Sequence, residues 1–232
     1  MENHQIIEIR GLFVSNFIIY NEKEMVLIDG GFLGGIRLLK KTLASIGKTL
    51  QDIDLILLTH GHLDHSYNLH QLKGLTQAPI AGSASEQLHI DGCYPYKGIT
   101  RACGLLEGLG RTFFGYQNTS LDQHLTDGER IGLCGGIRTI HLPGHTVGHL
   151  GFLHEPSKTL FVGDLVRIAE SQALLPPFFF NSCPKEFNNS FGKTKNMELN
   201  GLYSNHSHLL NSKEQLERFR KLEANQLKRQ GN

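Results

Sequence analysis

A predominantly apolar run at residues 53–58 leads directly into the hexapeptide HGHLDH, which places three imidazoles and one carboxylate within six residues. An apolar run without regular alternation is typical of a strand that is buried on both faces of a sheet. Side chains two residues apart in extended backbone point the same way, so His60 and His62 can reach one metal ion. Asp64 and His65 follow where the chain turns into a helix, and they point to a neighbouring position. One short loop therefore offers zinc- or iron-type ligands to two metals.

Further ligand candidates lie at or soon after other predicted strand ends, where a rigid scaffold holds functional side chains. These candidates are His145 after residues 137–142, Asp164 after 159–162 and His206 after 201–204. His208 competes with His206 for the last position. His149, close to His145, is expected to be a structural residue rather than a ligand.

The chain alternates between strand-like and helix-like patterns. Predicted strands cover residues 6–20, 25–28, 52–59, 79–81, 130–133, 137–142, 150–154, 159–162 and 201–204. Predicted helices cover residues 34–47, 66–74, 184–196 and 213–229. This alternation predicts an α/β protein in which helices cover sheets. We predict a single domain over residues 1–232, with a Gly-rich helical insertion near 85–116 and a C-terminal helix near 213–229.

Composition narrows the class of protein. The formal net charge is +1, and no block of like charge precedes the C-terminal tail, so neither nucleic acid nor an anionic membrane is an expected partner. No apolar stretch approaches the ~20 residues of a membrane span, and the N-terminus lacks the pattern of a signal peptide. The four cysteines form no C-x-x-C pair, which favours free buried thiols. We expect a cytoplasmic protein that acts on a small molecule, with a homodimer as an open alternative to a monomer.

The order and spacing of the candidate ligands resemble those of the metallo-β-lactamase superfamily, over about residues 6–206. Five signals carry the resemblance in chain order: Asp29 after an early strand, the HGHLDH motif, His145, Asp164 and His206. The resemblance implies an αββα sandwich, in which two mixed sheets are flanked by helices and a dinuclear metal site lies between the sheets. The ligand set is similar to that of glyoxalase II.

The resemblance also implies a role for each candidate. The first metal ion would be held by His60, His62 and His145. The second would be held by Asp64, His65 and His206, with Asp164 as the bridge. Asp29 would orient a ligand from behind. Two divalent ions are the expected cofactors, with zinc favoured and iron or manganese also suited to His and Asp ligands.

Departures from known branches of the superfamily narrow the expected reaction. The best-known zinc β-lactamases have a Cys at the position of Asp164, and acyl homoserine lactone lactonases have a Tyr at the position of Arg167. Glyoxalase II enzymes have a fuller C-terminal helical domain than the one helix predicted after His206. Diiron flavoproteins have a Glu where His62 stands. We therefore predict a hydrolase that cleaves a small ester, thioester or lactone.

The expected mechanism uses a hydroxide that bridges the two metals and attacks the carbonyl carbon. Asp64 and Asp164 are the predicted catalytic carboxylates, and Asp64 is expected to relay a proton. Two alternatives stay open: a mononuclear iron sulfur dioxygenase of the same fold, and a protein that binds metal without catalysis. Candidate substrate contacts are Arg167, Phe113, Phe178 and Phe179. Ordinary core packing is the alternative role of the three aromatic residues.

Overall fold

A computed structural model describes residues 4–94, 96 and 101–228. Within these residues, six strands form a first sheet in which β1 to β6 lie in chain order. The strands are β1 (Gln5–Arg10), β2 (Ser15–Tyr20), β3 (Met25–Ile28), β4 (Leu55–Leu57), β5 (Ile80–Gly82) and β6 (Gln123–His124). β1 to β3 pair antiparallel, whereas β3 to β6 run parallel. Every residue of β3, β4 and β5 is buried, as expected for apolar strands that are covered on both faces.

The second half of the chain forms a second sheet and a short ribbon. The strands are β7 (Arg130–Ile131), β8 (Ile137–His141), β9 (Leu150–His154), β10 (Thr159–Phe161), β11 (Arg167–Ile168), β12 (Ala173–Leu174) and β13 (Gly201–Tyr203). The second sheet has the order β13-β10-β9-β8-β7, and β11 pairs with β12 as the ribbon. β13 runs parallel to β10, whereas the other pairs of this sheet are antiparallel. The carboxyl ends of β3, β4 and β5 therefore lie together at one end of the first sheet. Those of β10 and β13 lie together at one end of the second sheet.

The two sheets share one buried core. Phe17 and Ile28 of the first sheet pack in the same apolar cluster as Phe152 and Phe161 of the second. The rings of Phe17 and Phe161 have their centroids 5.1 Å apart. Because this cluster draws on the inner faces of both sheets, the sheets form a sandwich.

Helices cover the outer faces of the sandwich and also flank the HGHLDH loop. The described helices are α1 (Gly35–Ser45), α2 (Leu63–Ser66), α3 (Leu69–Thr76), α4 (Gln87–Ile90), α5 (Arg101–Phe114), α6 (Phe187–Lys195) and α7 (Ser212–Lys228). Leu39 and Leu43 of α1 belong to a buried cluster on the outer face of the first sheet. Phe191 of α6 and Phe219 of α7 cover the second sheet, with ring centroids 5.8 Å apart. The predicted αββα sandwich is therefore confirmed. None of the described helices is both long enough and apolar enough to cross a bilayer.

Several boundaries differ from the sequence-based expectation. The predicted strand at 6–20 is two strands, because the chain turns where the Gly11 N–H donates to the Val14 carbonyl at 3.0 Å. The predicted strand at 52–59 is shorter, because Asp52 accepts a hydrogen bond from the Thr49 N–H at 2.7 Å and ends a short helical turn. β6, β11 and β12 were not predicted, since two-residue strands carry no periodic signal.

The predicted insertion at 85–116 contains α4 and α5, while residues 95 and 97–100 lie outside the described part of the chain. α5 is tied to the metal-ligand loop, because Arg111 Nη2 donates to the Gly61 carbonyl at 3.0 Å. The predicted C-terminal helix is present as α7, and Arg229 lies outside the described residues. The division into a single domain stays a prediction.

Candidate metal centre

Loops that follow β4, β8, β10 and β13 bring the seven predicted ligands together. Their ligand atoms fall into sets whose members all lie within 4.8 Å of one another. The first ligand group consists of His60, His62 and His145. The second ligand group consists of Asp64, His65 and His206, and Asp164 forms a further set with His60 and His65. The structure therefore assembles the same two groups that the resemblance implies.

Asp164 lies between the two ligand groups. Its Oδ1 is 3.3 Å from Nε2 of His65, and its Oδ2 is 3.1 Å from Nε2 of His206. The same Oδ2 is 3.5 Å from Nε2 of His145, which belongs to the first group. One carboxylate thus contacts members of both groups.

Several atoms of the cluster have no hydrogen-bond partner although they are buried. These atoms are Nε2 of His60, His65 and His145 and Oδ1 of Asp164. The 3.3 Å contact between His65 and Asp164 does not have hydrogen-bond geometry. Unpaired buried polar atoms are costly, and cations bound at the two ligand groups would satisfy all four. The nitrogen and carboxylate donors therefore fit divalent metal ions such as zinc, iron or manganese.

The other ring nitrogen of each imidazole is held by a partner outside the cluster. Nδ1 of His60 contacts the Thr59 hydroxyl at 3.1 Å, and Nδ1 of His65 contacts Asp29 Oδ2 at 3.0 Å. The corresponding partners of His145 and His206 are Asn181 Oδ1 at 2.9 Å and the Phe13 carbonyl at 2.8 Å. These contacts fix each ring so that Nε2 faces the cluster. His62 is the exception, because its Nε2 contacts the Tyr96 hydroxyl at 2.7 Å.

Asp29 lies behind the cluster and contacts His65, and the resemblance implies that it orients a ligand. It is fully buried and accepts hydrogen bonds from the Thr59 backbone N–H and from Asn205 Nδ2, both at 2.8 Å. Its φ of 64° lies in the left-handed region, which Asp tolerates better than most residues. Asp29 thereby joins β3, the HGHLDH loop and the loop that carries His206.

The structure distinguishes between His206 and His208, the two candidates for the last ligand position. His206 lies in the second ligand group, whereas His208 is exposed and belongs to none of the ligand sets found among the described residues. His149 is buried and uses its Nε2 to accept the backbone N–H of Asp164 at 3.0 Å. It therefore positions the backbone of a ligand, in line with the structural role expected for it.

The charges within the second ligand group are tightly balanced in the metal-free protein. Burial lowers the pKa of His206, but attraction to Asp164 and Asp64 outweighs it and raises this pKa to about 10. Burial likewise opposes protonation of His65, whose pKa is nevertheless raised well above its usual value by the carboxylates around it. His206 is therefore protonated at neutral pH when no metal is bound, and the same carboxylates favour the protonated form of His65.

Metal binding should consequently release protons, because a His ligand must be neutral. At pH 7.5 we expect His206 to give up about one proton per chain, and His65 and the water activated by the metals to add further protons. Lowering the pH should weaken metal binding, since more protons then compete for the same nitrogens. Calorimetric titration of zinc into metal-free protein, in buffers of different ionisation enthalpy, measures this number. The His206→Gln variant should release about one proton fewer, and equal release by both proteins would contradict the assignment.

Glu86 is a structural residue of the site that sequence reasoning missed. It is fully buried and accepts backbone hydrogen bonds from Gly61 and Gly148, each at 2.8 Å. These glycines lie in the HGHLDH loop and in the loop that carries His145, so one carboxyl group clamps the two loops together. Burial raises the pKa of Glu86 to about 7, although the two N–H donors act in the opposite direction. No local pattern marks this residue, because its partners are distant in the chain.

The raised pKa of Glu86 predicts a pH dependence of stability. The folded protein holds this proton up to about pH 7, whereas the unfolded chain loses it near the ordinary Glu value of 4.5. Ionisation of Glu86 should therefore lower the free energy of unfolding by about 3 kcal/mol as the pH rises through this window. Glu86→Gln removes that dependence. The free energy of unfolding of the variant should therefore rise relative to that of the wild type as the pH increases from 4.5 to 8. Denaturant unfolding of the two metal-free proteins tests this, and parallel pH profiles would contradict it.

A cavity of about 500 Å³ opens onto the metal centre. Metal-ligand residues line part of it, and its apolar walls include Phe32, Leu63, Leu106, Phe114, Val166 and Phe180. Arg167 is the one Arg or Lys among the described residues that line this cavity.

The predicted contacts Phe113, Phe178 and Phe179 do not line this cavity, and Phe113 is 83% exposed. Their neighbours Phe114 and Phe180 form the aromatic wall instead, because adjacent residues of a helix project to different faces.

A His- and Asp-rich cluster at the strand ends of an αββα sandwich defines a class of metal-binding proteins, and the sequence places this chain within one family of that class. The family model of the metallo-beta-lactamase superfamily matches residues 9–223. The chain therefore belongs to that superfamily, which consists largely of hydrolytic metalloenzymes. The resemblance drawn from the HGHLDH motif is confirmed.

Curated relatives include hydroxyacylglutathione hydrolases. The chain is 33% identical over 153 residues to hydroxyacylglutathione hydrolase GloC of Haemophilus influenzae, a match that covers 63% of each protein. It is 29% identical over 161 residues to a hydroxyacylglutathione hydrolase of Pseudomonas aeruginosa, covering 68% of this chain and 48% of that protein. The chain thus spans about half to two thirds of the length of these relatives.

Solved structures support the fold. A metallo-beta-lactamase family protein from Thermus thermophilus superposes with a TM-score of 0.73 at 22% identity, covering 97% of this chain and 80% of the other. A subclass B3 metallo-beta-lactamase of Bradyrhizobium japonicum superposes with a TM-score of 0.70 at 17% identity, covering 99% and 92%. At such identities the likeness concerns the architecture of the chain.

Proposed function

We propose that this chain is a metal-dependent hydrolase that cleaves a small ester, thioester or lactone with two divalent metal ions, zinc being the favoured metal. The observation that carries the proposal is the position of Asp164, whose carboxylate contacts members of both ligand groups beside a cavity of substrate size. Kinship with hydroxyacylglutathione hydrolases, whose names denote thioester cleavage, supports the reaction class.

When bound, two such cations polarise a carbonyl group and lower the pKa of water towards neutrality, which is the chemistry that hydrolysis requires. The protein's own carboxylates carry out the proton transfers. Asp64 lines the cavity, and its Oδ2 is 3.3 Å from Nε2 of His206. It is therefore placed to pass a proton between solvent and the leaving group. Asp164 contacts both ligand groups and so fixes their positions relative to each other.

The cavity walls favour an apolar substrate body with a polar or anionic end. Phe32, Phe114 and Phe180 offer apolar surface beside the metal ligands, and Arg167 offers a cation. A short acyl chain would contact the aromatic wall, while a carboxylate or phosphate elsewhere on the substrate would pair with Arg167. A cytoplasmic location and the lack of nucleic-acid and membrane partners stay predictions.

Metal quantification followed by a substrate panel tests the proposal. Protein purified without chelator should contain about two metal ions per chain and hydrolyse at least one member of an ester, thioester and lactone panel. The panel should include matched neutral and anionic substrates of increasing acyl length. One iron per chain with oxygen uptake would instead support a sulfur dioxygenase. Two metals without any turnover would support a non-catalytic metal-binding protein.

A further inference from the structure

His62 differs from the other imidazoles of the centre because a neighbouring side chain, Tyr96, contacts its Nε2 rather than its Nδ1. Tyr96 is 6% exposed, and its hydroxyl oxygen lies 2.7 Å from Nε2 of His62. The nitrogen of His62 that is left for a metal is therefore Nδ1. The other four imidazoles have the opposite arrangement, with Nδ1 anchored and Nε2 facing the cluster.

A chain of polar groups continues behind Tyr96. Its hydroxyl is 3.5 Å from Oε2 of Glu107, and Oε1 of Glu107 accepts a hydrogen bond from Arg111 Nη2 at 3.2 Å. Arg111 also donates to the Gly61 carbonyl at 3.0 Å and to the Ile90 carbonyl at 2.9 Å. Because Gly61 separates two ligands of the HGHLDH loop, the chain of contacts begins and ends on that loop.

These groups also form a set with the composition of a metal site, since ligand atoms of His62, His89 and Glu107 lie within 4.8 Å of one another. The Tyr96 hydroxyl already approaches two of the three residues, and the Arg111 guanidinium is paired with the carboxylate. A second cation beside Arg111 would be repelled. The set is therefore better described as a hydrogen-bond chain than as a third metal site.

We propose that Tyr96 is a positioning residue for His62. It accepts the Nε2–H of His62 and directs its own hydroxyl hydrogen towards Glu107, which fixes the tautomer and the plane of the ring so that Nδ1 faces the first ligand group. Metal-binding imidazoles are commonly oriented by a carboxylate on the opposite nitrogen, and here a phenol is interposed between the two. This inference rests on the proposed function in one respect, the presence of a metal at the first ligand group.

Removal of the phenol hydroxyl tests the role through metal affinity rather than activity. The Tyr96→Phe variant of the full chain should bind zinc at the first ligand group about 10- to 100-fold more weakly, as measured by competition with a chromophoric chelator. Cobalt-loaded variant protein should also show a shifted visible absorption band, because the ligand ring is no longer held in one orientation. Tyr94→Phe is the matched control. The Tyr94 hydroxyl is buried without a hydrogen-bond partner among the described residues, and zinc affinity should be unchanged in that variant.

Equal zinc affinity in wild type and Tyr96→Phe would overturn the inference. If Tyr96→Phe fails to fold, Glu107→Gln provides the second test, because it leaves the phenol in place and weakens the group behind it. That variant should lose affinity by a smaller factor, and an unchanged affinity would again overturn the inference. A wild-type protein that binds no zinc, iron or manganese would refute the proposed function instead, so the two failures are distinguishable.

Discussion

Replacement of Asp164 by Asn is expected to lower kcat/KM by roughly a thousandfold or more while the fold survives. The carboxylate lies 3.1 to 3.5 Å from imidazole nitrogens of three ligands, and it is the group that joins the two ligand sets. An amide has the same shape but no net charge, and its NH₂ group would point a donor at a site that needs acceptors. Attraction to His206 and His65 overcomes burial and holds the pKa of Asp164 well below its usual range, so the carboxylate is charged at neutral pH.

The Asp164→Asn measurement combines kinetics with elemental analysis. We expect about one metal ion fewer per chain and near-complete loss of turnover on whichever substrate the panel identifies. Asp91→Asn is a suitable control, because Asp91 is exposed and lies outside the ligand sets of the described residues. Full activity of the Asp164 variant with both metals retained would refute the assigned bridging role.

Replacement of Asp29 by Ala is expected to lower the free energy of unfolding of the metal-free protein by about 3–5 kcal/mol. The change would leave the Thr59 backbone N–H, Asn205 Nδ2 and the Nδ1 of His65 without their acceptor in a fully buried place. It would also put Ala at a φ of 64°, which strains a residue that has no polar side chain to stabilise that conformation. The loss is large because several defects arise at one position.

Asp29→Asn separates the two causes. Asn tolerates positive φ and keeps one acceptor oxygen, so we expect it to lose roughly half as much stability as Ala. Denaturant unfolding at fixed pH measures both variants. A stability of Asp29→Ala within about 1 kcal/mol of the wild type would show that neighbouring groups or solvent satisfy these donors after all.

The fold was predictable where long patterns or strong local chemistry marked it. The apolar runs that contain β3 and β4 indicated buried strands, and the amphipathic helices α1 and α7 were long enough for their helical period to be read. The two-residue strands β6, β11 and β12 did not, because their pairing depends on partners that lie elsewhere in the chain. The turn between β1 and β2 was also missed, because one backbone hydrogen bond from the Gly11 N–H to the Val14 carbonyl closes it within a mostly apolar stretch.

The site shows the same division. His145, Asp164 and His206 could be proposed because each follows a predicted strand and has a ligand-type side chain. Glu86 and Tyr96 could not, because each acts on a loop that is distant in sequence and neither lies in a recognisable motif. The aromatic wall was placed one residue off, at Phe113 rather than Phe114. Which face of α5 lines the cavity depends on how that helix is docked, and docking has no local signature.

By itself, the amino-acid sequence determined the ligand types, their order along the chain and the layered α/β architecture, because these depend on local chemistry and on hydrophobic periodicity. Tertiary structure alone decided which nitrogen of each imidazole faces the centre, how Asp164 lies between two ligand groups and which side chains wall the cavity. The physical reason is that hydrogen-bond partners such as Asp29, Glu86 and Tyr96 are brought to the ligands only when strands and helices from distant parts of the chain pack together.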